Sequence, residues 1–254
     1  MTDLIIFSVA GNRYALNIEN IQRIIQASEL TDIPNSHEFI DGMMSHEDKV
    51  IKILNFRKLI GIESYNSELK KLFFKLKGAH QAWIDELKDS VNDGTTFTKT
   101  LDPHKCELGI WLDNFNSYDD RVSSVLKDLM HNHKHLHVSG GDVLALYKKD
   151  KKSAQKIVNA EISDTFNQTM GSIDVFVEEL DRVANSLQKF VLYEQGNVSF
   201  AIKVDIIEDI VHIDESQIMS SEEPHDVSEF LELEGVLDLD STLINIIKKV
   251  NIPS

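Results

Sequence analysis

The chain has 254 residues, and its 42% hydrophobic content is enough to bury a core in one large domain or two modest ones. Lys and Arg number 26 against 42 Asp and Glu, a formal net charge of -16 whose field repels phosphate backbones and anionic lipid head groups, so neither nucleic acid nor a membrane surface is expected as a partner. No apolar run reaches the length of a membrane span, and the opening MTDLIIFSVAG lacks the basic flank and long apolar stretch of a signal peptide, which predicts a cytoplasmic chain with no direct membrane insertion.

The first elements are short strands. LIIFSVAGNRYALNI is two apolar runs broken at Gly11-Asn12, and DKVIKILNFRKLIG carries Val50, Ile51, Ile53, Leu54 and Phe56 before Gly61. From about residue 67 to 186 the pattern changes to helical spacing. Leu69, Leu72, Leu76, Trp83 and Leu87 share one face of a first helix. A second is expected to open at Asp102 as cap and Pro103 in the first turn, with CELGIWLDNF following. A third runs from about 119 to 149, where the pair Gly140-Gly141 predicts a kink or loosened turn, and a fourth from about 151 to 187. Strand character returns in FVLYEQGNVSFAIKV, turning at Gly196-Asn197, then in IIEDIVHI and GVLDLDSTLINIIKKV. The expected organisation is therefore residues 1–66 and 187–254 as two halves of a β domain, with a four-helix unit of residues 67–186 inserted between them.

The stretch LMHNHKHLH of the third helix places four histidines in alternate positions. At about 100° per residue, Val122, Leu126, Leu129, Met130 and Leu144 form one apolar stripe. His133 and His137 fall inside it, one turn apart, while His131 and His135 project roughly opposite and are expected to be solvated. The same exercise puts His80 on the inward face of the first helix. Any one of these alone reads as a buried neutral histidine; three of them with the single cysteine in one bundle read as a metal site. Neutral imidazoles and a thiolate are the donor set that Zn²⁺ prefers. Cys106, at the start of the second helix, is where the helix dipole favours a thiolate, and a lone thiol excludes an internal disulfide and suits a reducing compartment. His104 is a competing ligand ranked below the other three.

His80-Gln-Ala-Trp83, then Cys106-Glu-Leu108-Gly109-Ile-Trp111, then His133-Lys-His-Leu-His137 resembles the pattern of the chemoreceptor zinc-binding (CZB) domain, over about 120 residues. The resemblance implies zinc as cofactor with His80, Cys106, His133 and His137 as its ligands. The flanking segments resemble a CheW-type coupling domain, over RYALNIENIQRII, GMMSHEDKVIKILNFRKLIG and FAIKVDIIEDIV. That resemblance implies an α+β architecture: two small SH3-like five-stranded β-barrels carrying the inserted four-helix zinc-binding bundle. Two departures stand out: Glu47-Asp48 occupies the loop where the family has Arg-Gly, and Asn55 stands for the usual Asp. An Arg-to-Glu exchange swings local charge by two units, so the partner differs or that contact is lost.

The function this implies is a non-enzymatic cytoplasmic chemotaxis adaptor. It would couple chemoreceptor cytoplasmic tips to a CheA-type histidine kinase, with the inserted site sensing zinc or oxidants through Cys106. Two other readings are weighed against it. A zinc-dependent metalloenzyme needs an open coordination position and a base, for which Glu107 or Asp85 would serve, but the helical His-Glu-x-x-His signature is absent. A di-iron helical gas-binding protein needs several inward carboxylates, and the inward stripes offer too few.

Overall fold

The computed structural model describes residues 1–196, 198–219 and 230–252, so Asn197 of the turn expected at Gly196-Asn197 lies outside the described residues. The chain divides into two compact units, Met1–Tyr65 with Ala184–Ser254, and Asn66–Val183.

The first unit is built from β1 (Thr2–Val9), β2 (Asn12–Asn17), β3 (Ile21–Gln26), β4 (Ile40–His46), β5 (Lys49–Asn55) and a short helix α1 (Phe56–Leu59), then β6 (Lys189–Gln195), β7 (Val198–Val204), β8 (Ile206–Ile213), β9 (Leu231–Leu239) and β10 (Thr242–Val250). These strands form two five-stranded sheets, ordered β8-β1-β2-β10-β9 and β3-β6-β7-β5-β4. Neither sheet belongs to one end of the chain. Each is joined across the two ends by a parallel pairing, β2 with β10 and β5 with β7, and the remaining pairings are antiparallel. Tight turns with both central residues in the left-handed region close the hairpins at Ala10-Gly11, Glu47-Asp48 and Asp240-Ser241, the geometry that matches strand twist.

Burial on both faces explains why LIIFSV is apolar without alternation. Ile5, Phe7 and Val9 of β1 join Leu54, Val191, Phe200 and Ile202 of the other sheet in a core shared between the sheets. Leu4 and Ile6 face the opposite way, into a small core with Ala15, Leu237 and Ile244 that the first sheet wraps. Ile51, Ile53, Phe190, Leu192 and Ala201 are its counterpart in the second sheet. The architecture is α+β, and among the described residues the two five-stranded sheets expected as barrels do not close, since the outermost strands of each are not paired with one another. In the second sheet Arg23 of β3 reaches the turn after β4, its Nη2 lying 3.2 Å from Glu47 Oε1.

A buried polar knot ties the unit together. Arg57 of α1, 1% exposed, donates to Asp205 through Nε and Nη2 at 2.6–2.9 Å, and its guanidinium lies 4.4 Å from the Tyr65 ring centroid. The same carboxylate accepts from Gln188 Nε2 and from the Ala10 main-chain N–H, both at 2.9 Å. Asn55 caps α1 by accepting from Lys58 N–H and donates its amide to Asp41 at 2.8 Å. An aspartate at position 55 would set two carboxylates against each other, which accounts for asparagine there.

The second unit contains α2 (Tyr65–Asn92), α3 (Glu107–Asp113), α4 (Asp120–Tyr147), α5 (Lys151–Ile157), α6 (Ser163–Glu178) and the start of α7 (Leu180–Leu187). The helix expected over 151–187 is thus broken, by a π-helical turn at Val158–Ile162 and again at Glu179. The kink expected at Gly140-Gly141 is absent. Gly140 is a close approach instead: a Cβ there would fall 2.3 Å from the Trp83 ring, so the α4 backbone comes close against an α2 side chain at this point. The second helix starts later than expected. Asp102 spends its carboxylate on His104 N–H at 3.0 Å in a preceding turn, and Cys106 is the residue that caps α3. Among the described residues no helix is long and apolar enough to cross a membrane.

Arg57→Ala leaves the Asp205 carboxylate buried without its cation, and the expected loss is about 3–5 kcal/mol of unfolding free energy. Chemical denaturation of the β unit's tyrosine signal measures it; a change under about 1 kcal/mol would show that water replaces the guanidinium without penalty.

Candidate metal centre

Four side chains from three helices converge. Ligand atoms of His80, Cys106, His133 and His137 all lie within 4.8 Å of one another. The three histidines are 1–4% exposed. Ring centroids stand 5.2 Å apart for His80 and His133, 5.8 Å for His80 and His137, and 4.7 Å for His133 and His137.

Local structure explains how each donor is aimed. His80 Nδ1–H donates to the Leu76 carbonyl one turn back, at 2.8 Å, which leaves Nε2 as the lone-pair nitrogen, 4.0 Å from Cys106 Sγ. His133 Nε2 lies 3.0 Å from the same sulfur. Cys106 Sγ accepts the Gly109 main-chain N–H at 3.2 Å. Gly109 is required here because a Cβ would sit 1.7 Å from the Pro103 carbonyl oxygen, displacing the turn that carries the cysteine. His137 is the most telling residue: neither of its buried ring nitrogens makes a hydrogen bond of normal geometry, although the Thr100 carbonyl, which also accepts from Trp83 Nε1–H at 2.8 Å, is close enough to pull its pKa upward. A buried imidazole without partners costs about 1–3 kcal/mol unless something else accepts its lone pair, and a metal ion does so.

Electrostatics prepare the set for a cation. Burial pushes His133 down to about 3 and His137 down to about 4, each reinforced by repulsion from neighbouring imidazoles, and burial lowers His80 against the Leu76 hydrogen bond. All three rings are neutral near pH 7. Burial also raises the Cys106 thiol, outweighing the Gly109 and Leu108 N–H groups that favour the thiolate. The dipole argument for a ready thiolate therefore fails in the metal-free protein; the ion itself must displace the proton.

The remaining sequence candidates fall outside the cluster. His131 and His135 are exposed, as helical phase requires, but Met130, placed in the apolar stripe, is 37% exposed. His104 is held by Asp113, Nδ1 to Oδ2 at 2.8 Å, and does not join the four donors. Glu107 pairs with Lys75 at 2.9 Å and Asp85 accepts from Gln81 at 2.9 Å, both on the surface. Among the described residues the cluster contains no carboxylate. Sequence reading missed the Asp113 partner of His104 and the supporting roles of Gly109 and Thr100, which depend on contacts between turns rather than on spacing.

The histidine shifts carry a pH signature. With folded pKa values of about 3 and 4 below the unfolded value of about 6.5, the unfolded chain takes up protons first as pH falls. Stability of the metal-free insert is therefore full above about pH 6.5 and declines toward pH 4 and 3. Thermal melts of chelator-treated protein at about pH 7.5 and about pH 5 test this, with His133→Leu expected to flatten the slope; equal midpoints in the wild type would mean the rings are already accessible to protons.

Comparison with known families finds a CheW-like domain over residues 3–77 and a chemoreceptor zinc-binding domain over residues 80–144, a segment that contains all four donors. A chemotaxis protein CheW from Thermotoga maritima is 24% identical over 70 residues, 28% of this chain. The chain spans about half of that relative, 46% of its length. The crystal structure of the scaffolding protein TtCheW from Thermoanaerobacter tengcongensis superposes with a TM-score of 0.47 at 13% identity, covering 97% of this chain and 88% of that one. Zinc is the ion of this domain class, and the three imidazoles and one sulfur suit it. The chain thus carries a CheW-like domain over residues 3–77 followed by a chemoreceptor zinc-binding domain over residues 80–144.

Proposed function

We propose that this protein is a non-enzymatic cytoplasmic chemotaxis adaptor whose coupling is set by one zinc ion held by His80, Cys106, His133 and His137. The observation that carries the reading is the coincidence of the four converging donors with the zinc-binding segment, lying within a chain whose CheW-like strands are paired to strands from beyond that segment. Residues 67–186 form the zinc-binding domain in this proposal, and 1–66 with 187–254 form the adaptor. The partners are chemoreceptor cytoplasmic tips and a CheA-type histidine kinase.

Sensing follows from ligand chemistry. Structural zinc contributes about 10–16 kcal/mol in small zinc-finger peptides, comparable to the entire stability of a domain at about 5–15 kcal/mol. Losing the ion, or two-electron oxidation of the Cys106 thiolate to a sulfenic acid by a peroxide, which is reduced to hydroxide, removes a bond on which the donor layer depends. The insert is joined to the adaptor by both its chain ends, so loosening it alters the constraint at both.

Metal analysis of untagged protein is expected to give one zinc per chain, lost in Cys106→Ala and His137→Ala and retained in His131→Ala. An ion retained by the first two variants would remove the site. Binding to a kinase regulatory domain or a receptor tip, measured with and without chelator, is expected to change at least about fivefold. Failure to bind either partner removes the adaptor role, whereas binding indifferent to zinc removes only the sensing.

A further inference from the structure

We infer that the β unit carries a binding site of its own, a pocket between the loop after β3 and strand β5 that takes a small monocarboxylate with an apolar tail. The site lies within one unit and is independent of the four donors in the insert.

A cavity of about 480 Å³ lies between that loop, the first residue of β4 and Lys52 of β5. Its walls are preformed. Ser36 N–H bonds the Ile33 carbonyl at 3.3 Å across Pro34 and Asn35, and Asn35 sits in the left-handed region at φ 58°, as the third position of a type II turn requires. Ile40 N–H closes the next turn on the His37 carbonyl at 2.9 Å. Thr31 and Met43 exchange both main-chain bonds at 2.9 Å, which pins the start of the loop to β4.

Two kinds of group face the cavity. Ile33, Pro34 and Ile40 supply an apolar wall, while Asn35, Ser36, His37 and Lys52 supply a polar one. The His37 ring is wedged between Phe39 and Phe230, at centroid distances of 4.1 and 4.9 Å, and its Nδ1 is buried without a hydrogen bond. A buried N–H with no acceptor is costly, so the ring proton belongs on Nε2, where a bound acceptor can take it. Lys52 alternates with Ile51 and Ile53, whose side chains fill the small core of the second sheet, so its ammonium projects from the opposite face. It is the one formally charged group of the lining, and among the described residues no carboxylate pairs with it.

The class of ligand follows from these walls. An ammonium with hydroxyl, amide and imidazole donors around it selects an anionic acceptor, and the apolar wall selects a hydrocarbon tail. The rest of the molecule limits the charge: a protein at a formal −16 repels anions, and one ammonium offsets that repulsion better for a single negative charge than for the two of a phosphate. A short aliphatic monocarboxylate meets all three conditions, with its carboxylate on Lys52 and His37 and its chain on Ile33 and Ile40.

Sodium butyrate is the probe, titrated into the full chain at constant ionic strength and followed by calorimetry, with one saturable site expected in the millimolar range. Lys52→Met should weaken binding at least about tenfold and His37→Leu about fivefold, while Lys52→Arg keeps most of it. Lys49→Met, exposed on the same strand and outside the cavity, should match the wild type. An unchanged thermal midpoint in Lys52→Met assigns its loss to the contact rather than to the fold. Butyramide, which has the same shape without the charge, should bind at least about tenfold more weakly than butyrate, and inorganic phosphate more weakly as well. Butyramide that matches butyrate, full affinity in Lys52→Met, phosphate that binds more tightly than butyrate, or a wild type with no saturable site would each overturn the assignment.

Discussion

The β unit depends on one carboxylate. Asp205 stands where the chain passes from β7 of one sheet to β8 of the other, and it is held at once by Arg57 after β5, by Gln188 before β6 and by the turn between β1 and β2. Those donors come from both sheets and from both sides of the insertion. A buried ion pair of this kind adds little net stability over an apolar substitute, because desolvation offsets most of the attraction. Its value is in specifying one arrangement: only when the two chain ends are brought together does the carboxylate find all its donors. Arg57 and Tyr65 precede the departure of the chain, and Gln188 follows its return, so the same knot fixes where the inserted segment begins and ends.

In the helical unit the corresponding constraint is a layer of neutral donors inside an apolar bundle. Along α2, His80 falls between Phe73, which packs on Trp111 and Phe176, and Trp83, which belongs to the aliphatic cluster of Leu87, Leu136, Val143 and Val158. Three imidazoles buried in such a place are costly without acceptors or an ion, and His137 is the least well satisfied of them, with no hydrogen bond of normal geometry at either ring nitrogen. Such burial costs stability in the metal-free insert, and an ion bound by the four proposed ligands would restore it. Zinc binding at that site would then be coupled to folding, with no need for a moving part elsewhere in the bundle.

Much of this was legible in the residues, for reasons that differ between the two units. Helical phase separates His133 and His137 from His131 and His135 because a two-residue offset on a helix is nearly a half turn, and burial follows that phase. The strand runs were equally visible, since LIIFSV and FAIKV are apolar on both faces. What could not be read is pairing. No local pattern states that β2 lies beside β10 or β5 beside β7, because those parallel contacts are made only after more than a hundred intervening residues fold away. The helix start at Asp102-Pro103 misled because asparagine-like turns and helix caps use the same residues, and the carboxylate was taken by His104 N–H before the helix began. Gly140 misled for the opposite reason. Its propensity cost is real, but the Trp83 ring occupies the space a side chain would need, so tertiary packing straightens the helix that propensity would loosen.

The two departures from the CheW-type pattern show the same local logic at the surface. Glu47 introduces an acid where the family has a base, yet it is not a bare charge: Arg23 on β3 reaches it, at side-chain exposures of 56% and 67%. Asn55 gives up a charge where Asp41 already supplies one, and retains the capping oxygen that α1 needs. Each change is balanced inside the β unit, so the fold does not require a partner to supply the missing sign. An exposed pair of this kind contributes about 0.2–1 kcal/mol to stability, too little to explain it as a structural brace. Its consequence falls on recognition: a surface that approaches Glu47 must tolerate an acid beside a base, and a partner shaped for a lone arginine meets repulsion there instead.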